Sequence, residues 1–581
     1  MASTFFGMDI ANSALSAAQV LMDVAGQNIA NDATQGYSQQ VAELAPTQPY
    51  AQPDMGGLYT PQLGTGVQVQ EVQRVRAGYL DGLFRSTQSG ESYYGTRSNY
   101  LTAIQSALDE PGSSGLSTAM NTFLSDFQTL SQDPQSTASR TVVQQDGEAL
   151  AAQVQGIYKG LESVGQQAQS QASLDAQTVN TDLKQLGNLN QTIATAQALG
   201  QQPNDLLDER DNLLDSLSQL TNFSFTQNTT EVGSYDVTQV TVTMPAQGGG
   251  TVTLLDGGKY GSLSVQPTAT SASSYASESA GLNLNAEEDT INGAAIDITS
   301  SDSLDSIAQK INDADAGVAA TVVQNGSQYQ LQLSSTTGQA IGGSGDDLFG
   351  TSAQGLGISL TSPQLAVSAQ DADTGATSAV APTGGSIGAA YAFVNQDLNP
   401  NYQGSLMSQL NGAVAALANA VNEQQEAGYY QDPTSGDWES GVPFFATSDG
   451  SSTITAANIA LSSQVQGNTA YIAAAGTSGD VGDGSNATAI ADIANESHGP
   501  LQQYSSFVSD MGSQVDLSQN LQGTAQSLLT QVTSQRSSTA GVSINDQMTN
   551  LMQAQTMYTA AAKVSEAMDS SLQSLISAIQ P

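Results

Sequence analysis

Cysteine is absent from the 581-residue chain. That excludes disulfides, thiol nucleophiles and Cys-based metal sites, and leaves stability to packing. Bases are almost as scarce: 12 Lys and Arg face 54 Asp and Glu, a formal charge of −42. The acidic load is ordinary for this length, so the imbalance comes from missing bases. Such a surface repels nucleic acid and anionic membrane, both of which need a basic footprint, and neither is expected as a partner. In acid the carboxylates neutralise and few positive charges remain to repel one another, which suits an acidic habitat; compositional drift in a Ser/Thr/Gln-rich external protein gives the same pattern. The single histidine, His498, stands before Gly499-Pro500 in an expected turn, without a second His for a metal pair or a Cys to activate. No catalytic, cofactor-binding or metal-binding residue is expected, and nothing marks out a glycosidase-type carboxylate pair. No apolar run approaches the roughly 20 residues that span a bilayer. The first base is Arg74, so the basic n-region of a secretory signal is missing, and export is expected by another route.

What is present is concentrated at the two ends. Ile10, Ala14, Ala17, Leu21, Val24 and Asn28 follow four-three spacing, with Leu15, Ala18 and Ala25 widening the apolar face. Asn28-Ile29-Ala30-Asn31 and then Thr34, Gly36 and Tyr37 end that helix with turn-forming residues. At the other end Ile544, Met548, Leu551, Gln555, Tyr558, Ala562, Ser565, Asp569, Leu572, Ile576 and Ile579 form one heptad row. Met557, Ala561, Val564, Met568, Ser571, Leu575 and Ala578 form a second row beside it. Two adjacent stripes on one helix predict more than one neighbour. No glycine or proline interrupts Asn545 to Gln580, which predicts a rod of roughly 50 Å, and Ser543 and Asp546 stand at capping-box spacing.

Between the ends, helical spacing recurs over residues 77–108 and 117–130. It recurs again over 136–199, expected as a long hairpin of antiparallel helices, and over 205–220. Pro203-Asn204-Asp205-Leu206-Leu207-Asp208-Glu209-Arg210-Asp211-Asn212-Leu213-Leu214 opens the last of these. Its acids could suggest a metal or acid-base site; the structural alternative is a cap by Asn204 or Asp205, acids near the helix N-terminus, and Arg210 bridged to a carboxylate. After Leu220 the composition turns to Thr, Val, Ser and Gly, with strands expected at 237–242 and 251–254. A ββαββ run follows over about 289–341. Residues 385–428 return to one helical pattern, and 504–536 lead into the terminal heptads. Asp480, Asp483 and Asn486 lack EF-hand spacing and its closing Glu, so they are expected as a capped loop.

The residues from Leu15 to Ser38, and Gly541-Val542-Ser543-Ile544-Asn545-Asp546 followed by Met548, Asn550-Leu551, Gln555, Tyr558 and Ala562-Lys563-Val564, resemble the two ends of bacterial flagellar axial proteins of rod, hook and hook-filament junction. The Pro203–Leu214 block resembles the internal signature of the hook-associated protein 1 family, the first of two junction components between hook and filament. Residues 441–445, 456–461 and 482–487 are similar to further pieces of that family, and 289–341 to a module inserted in flagellin and filament-cap proteins. The resemblance implies a structural adaptor, not an enzyme, that self-assembles in a ring or tubular lattice. Hook protein would lie below it, and the second junction protein and filament above. It further implies an export chaperone, passage through the flagellar type III apparatus and an extracellular location on the flagellum.

The expected class is α+β and multidomain: long terminal coiled-coil-type helices and a helical bundle, with an inserted β-rich outer domain. The expected division is 1–45 with 540–581 as a polymerisation domain, 46–221 with 385–539 as a rod-like core, and 222–384 as the outward insertion. The expected assembly interface is Ile10, Ala14, Ala17, Leu21, Val24, Asn28, Asn31, Gly36 and Tyr37 with Ile544, Met548, Leu551, Gln555, Tyr558, Ala562, Val564, Leu572, Leu575 and Ile576. Two other readings stay open from the residues: a secreted β-rich surface adhesin with helical arms, binding through 222–382, and another axial protein such as hook protein.

Overall fold

The computed structural model describes residues 6–51, 62–110, 112, 115–247, 249–271, 275–284, 288–325, 328–336, 341–345, 347–349, 355–358 and 364–579. Its helices in chain order are α1 (Phe6–Ala30), α2 (Gly78–Leu108), α3 (Leu116–Gln132), α4 (Thr137–Ala198), α5 (Asn204–Leu220) and α6 (Leu304–Asp313). They continue as α7 (Gly385–Ala392), α8 (Leu406–Ala427), α9 (Ser463–Gly467), α10 (Ser485–Asp492), α11 (Pro500–Ala540) and α12 (Ile544–Ile579). The class is α+β and multidomain, as the composition shifts predict.

α4 is the spine. The sequence predicts a hairpin here, but the stretch is one helix of 62 residues, about 93 Å long at 1.5 Å per residue. Glycines within it are isolated, and no proline or cluster of turn residues supplies the reversal a hairpin needs. Ser136 caps its start by accepting from Ser139 N. It stops where Gly200, at φ 76°, lets the amides of Gly200 and Gln201 return to the carbonyls of Gln197 and Ala196. Val143, Leu150, Val154, Leu161, Leu183 and Leu186 form its fully buried row. Around its first half Phe123, Phe127, Phe444 and Phe445 pack ring to ring at 4.9–5.8 Å.

The stretch 385–428 is two helices rather than one. A π-turn at Phe393–Asp397 ends α7, and the Asn399–Gly404 turn, with Gly404 at φ 85°, separates it from α8. Asp397 is held by a bidentate pair with Arg97, at 3.0 and 2.9 Å.

The β-rich insertion is divided. Strands Ser224–Val232, Tyr235–Pro245, Thr251–Asp256 and Lys259–Tyr260 make a four-stranded meander. It lies along α4: Asn190 Nδ2 donates to the carbonyls of Val240 and Gly257, both at 3.0 Å, and Val240, Val242 and Met244 join the main core. This part of 222–384 therefore does not stand apart from the helices. The ββαββ run does close on its own core of Ile291, Ile296, Leu304, Ile307, Ile311, Leu331 and Leu333. Its last two strands extend a five-stranded sheet ordered Val318–Asn325, Gln328–Ser335, Ser262–Thr270, Gln364–Gln370, Thr377–Val380. The positions 337–340 expected to close the run lie outside the described residues.

At the ends, α1 and α12 pack as an antiparallel pair. Gly7 lies against Met568, close enough that an added Cβ would sit 2.6 Å from its Cε, and Asn28 hydrogen-bonds Gln547. A hairpin of Gln40–Pro46 with Val67–Arg74 covers α1. α11 breaks at Gly541, where a Cβ would meet the Ser537 carbonyl oxygen at 2.3 Å, and α12 begins three residues later.

Candidate assembly interface

Asn28 organises the place where the termini meet. It is fully buried. Its Nδ2 donates to the Gln40 carbonyl at 2.9 Å and to Gln547 Oε1 at 3.0 Å, while its Oδ1 accepts from Gln40 N and the Tyr37 hydroxyl, both at 2.9 Å. Every hydrogen-bonding position of the amide is used, which offsets the cost of its burial. Asn31 tightens the following turn: Nδ2 donates to the Gln27 carbonyl and Oδ1 accepts from Thr34 Oγ1.

Gly36 is fixed twice over. Its φ is 78°, and an added Cβ would fall 1.8 Å from Asn212 Oδ1 on α5. Both conditions favour glycine: the backbone is left-handed, and any side chain would have to displace that of Asn212. Stretches more than 130 residues apart in sequence thereby dock: Ser38 donates through N and Oγ to Asp208, at 3.0 and 2.7 Å, and Asn204 Nδ2 donates to the Val72 carbonyl at 2.7 Å. Burial, followed by the charges of Asp205 and Asp208, pushes the Tyr37 hydroxyl up to about 12.

The acids of α5 hold four arginines. Arg74 reaches Asp208 and Asp211 at 2.6 and 2.9 Å; Arg85 reaches Asp215 and Asp211 at 2.7 and 3.1 Å. Arg536 of α11 joins Asp81 and Asp215 at 2.9 and 2.6 Å, and Arg76 pairs with Asp81 at 2.8 Å. Burial alone would raise the Asp211 carboxyl, but Arg76, Arg74, Arg85 and Arg210 hold it below the usual range. The sequence expectation for Arg210 is overturned. Among the described residues it makes no carboxylate pair and donates only to the Thr238 carbonyl at 3.5 Å, and burial brings its pKa down to about 10. One residue on from Glu209 and one before Asp211, it points to another face of α5. Asn204 is likewise the first residue of the helix, with Pro203 before it and no side-chain cap.

On α12 the seam used within the chain runs through Gln547, Leu551, Ala554, Ala561, Ser565, Met568 and Leu572, drawing on both predicted rows. Among its described side chains only Gln547, Ala554 and Ala561 are buried, and on α1 only Ala11, Ala17, Ala18, Ala25 and Asn28. Ile10, Ala14, Leu21, Val24, Asn31, Gly36, Tyr37, Leu551, Ala562 and Leu572 are half-buried. Ile544, Met548, Met552, Tyr558, Val564 and Ile576 stand 42–57% exposed, and Gln555 is exposed with them. The side chain of Leu575 lies outside the described residues. A groove of about 370 Å³, lined by Leu21, Val24, Val41, Leu44, Ala554 and Met557, opens beside the pair. Gln547, Ala554, Ala11, Ala18 and Ala25 are missing from the predicted interface. Their seven-residue spacing, alanine at all but Gln547, is the signal that finds them.

Asp483 accepts from the amides of Gly476, Thr477 and Ser485 at 2.8–2.9 Å, which makes 476–485 a capped loop. Among the described residues no three His, Cys, Asp or Glu cluster as metal ligands, and no helix is long and apolar enough to cross a membrane.

The family description "Flagellar hook-associated protein FlgK helical domain" matches residues 101–349, a span that contains the Pro203–Leu214 block. A second description, "Flagellar basal body rod FlgEFG protein C-terminal", matches 533–578, the end of α11 and almost all of α12. Flagellar hook-associated protein 1 of Bacillus subtilis is 34% identical over 229 residues, 39% of this chain and 45% of that protein. The protein of the same name from Salmonella typhimurium is 31% identical over 212 residues, 36% of this chain and 37% of that one. The matches thus span less than half the length of these relatives. The flagellar hook junction protein FlgK from Burkholderia pseudomallei shares the fold, with a TM-score of 0.50 at 14% identity, covering 80% of this chain and all of that one. The residues that match the hook-associated helical domain include α3, α4 and α5.

Proposed function

We propose that the protein is a structural component of the bacterial flagellum, an adaptor that joins hook to filament by self-assembly through its paired terminal helices. The observation that carries this reading is that Ile544, Met548, Tyr558 and Ile576 of the first heptad row, with Met552 beside them and Val564 on the other side of the seam, are left exposed on a helix already paired with α1. An apolar row of this length on an extended helix calls for a second partner. The hook-associated domain behind it names the setting, and it disfavours the adhesin and hook-protein alternatives.

In this reading residues 1–45 with 540–581 enter the lattice, 46–221 with 385–539 form the next shell, and the module closing on its own core within 222–384 faces outward. The interface comprises the exposed row with Gln555, and the half-buried Ile10, Leu21, Val24 and Leu572. Its partners are copies of the same chain, hook protein below, the second junction protein and filament above, and an export chaperone before assembly. The protein works outside the cell without catalysing a reaction. The test is deletion of Gly541–Pro581 followed by electron microscopy of the producing cells. Bare hooks with flagellin shed into the medium are expected; normal filaments would overturn the assignment.

A further inference from the structure

Trp438 is the only tryptophan in the chain, and it stands at a cavity that the assembly reading does not use. The cavity, about 320 Å³, lies between the start of α4, the hairpin of Tyr429–Gln431 with Trp438–Ser440, and the turn at 468–470. That is the low end of the range for small-molecule sites. Its basic residue is Arg140. Nε donates to the Pro134 carbonyl at 2.9 Å, and Nη1 donates to the carbonyls of Thr469 and Ala470 at 3.4 Å and more closely to that of Ile472. Nη2 has no acceptor among the described residues. Arg74, Arg76, Arg85, Arg97 and Arg536 each face an aspartate, whereas Arg140 faces none. A half-buried guanidinium that keeps its charge and lacks a counter-ion favours an anion from outside.

The rest of the lining narrows the kind of anion. Asp483 borders the same cavity with its oxygens turned to its own loop amides, so a polyanion is repelled and a single negative charge is tolerated. Tyr429 and Trp438 line the cavity with Gln135, Gln431 and Asn468, whose amides are in part engaged: Gln431 Nε2 donates to the Gly436 carbonyl at 2.9 Å and Asn468 Oδ1 accepts from Ala470 N at 3.0 Å. Tyr430 is braced by Tyr471, at 5.2 Å between centroids, and by its hydroxyl bond to Glu439 at 2.9 Å. Flat rings beside scattered amides suit a ring with apolar C–H faces and many hydroxyls. We propose that this cavity binds an acidic saccharide unit, its carboxylate on Arg140 Nη2 and its ring against Trp438 and Tyr429.

The lone tryptophan is its own reporter. The full chain is titrated with galacturonate while Trp438 fluorescence is followed, with galactose and acetate as matched controls. A saturable change with galacturonate, at a Kd of the order of 1 mM, is expected, and none with either control over the same range. Arg140 also ties α4 to the 469–472 turn, so Arg140→Met can disturb folding. Gln135→Glu on the exposed rim avoids that and adds a like charge; it is expected to weaken binding about tenfold. No saturable change with galacturonate overturns the site. A response of equal size to galactose overturns the role of Arg140, one to acetate overturns the saccharide assignment, and unchanged binding by Gln135→Glu overturns the location.

Discussion

α4 and α12 are both long helices with heptad-like apolar rows, yet only one of them is finished. α4 buries Val143, Leu150, Val154, Leu161, Leu183 and Leu186 completely against α3, α5, α7 and the meander sheet. α12 hides Gln547, Ala554 and Ala561 against α1 and leaves side chains of Met, Ile, Val and Tyr in solvent. The first pattern is a core and the second is half of an interface. The small side chains buried between α1 and α12 allow close backbone approach but supply little buried area, so most of the apolar free energy of α12 is still to be gained.

Four measurements break or sharpen that contrast, in falling order of effect on the monomer. Asp211→Ala leaves Arg74 and Arg85 short of a counter-ion in a buried cluster, and denaturant unfolding is expected to show a loss of about 3–5 kcal/mol. Leu183→Ala opens a cavity under α4 and is expected to cost about 2–5 kcal/mol in the same assay.

The third is a pH slope of opposite sign in two regions. Burial, and next the neighbouring Asp146, push the Asp126 carboxyl up to about 7. Its folded value lies above the unfolded one, so the folded state binds the proton more tightly, and stability rises as pH falls from about 7 to about 4. Asp211 is held low, so its contribution is present above the unfolded Asp range and disappears as pH falls through the lowered folded value. Melting temperatures between pH 4 and 8 are expected to flatten in Asp126→Asn, a change of the order of 1 kcal/mol after solvent screening. An unchanged slope in that variant would assign the acid response to other carboxylates.

The smallest effect on the monomer belongs to the exposed row. Met548→Gln with Ile576→Gln is expected to shift unfolding by less than about 0.5 kcal/mol, yet to stop filament growth in cells. A large loss of monomer stability would instead make α12 part of the chain's own core.

Much of this was legible before any coordinates. The spacing of Ile10 to Asn28 and of Ile544 to Ile576 places the terminal helices, and the block at Pro203–Leu214 locates α5 and lies within the residues that match the hook-associated helical domain. The reversal expected within 136–199 was misplaced because period alone does not distinguish one long helix from two shorter ones. The break after α7 is written in Pro400 and Gly404, beside a pattern that reads as continuous.

Side-chain periodicity is a local property, and it determined from sequence alone which residues share a helical face and where helical spacing gives way to strands. Partner choice is not local. That Arg74, Arg85 and Arg536 rather than Arg210 meet the acids of α5, that Gly36 fits against Asn212, and that the seam of α12 runs through Gln547 and Ala554 were decided by the tertiary structure. Hydrogen bonds, ion pairs and close packing act over a few ångströms, and only the fold brings together residues separated by hundreds of positions.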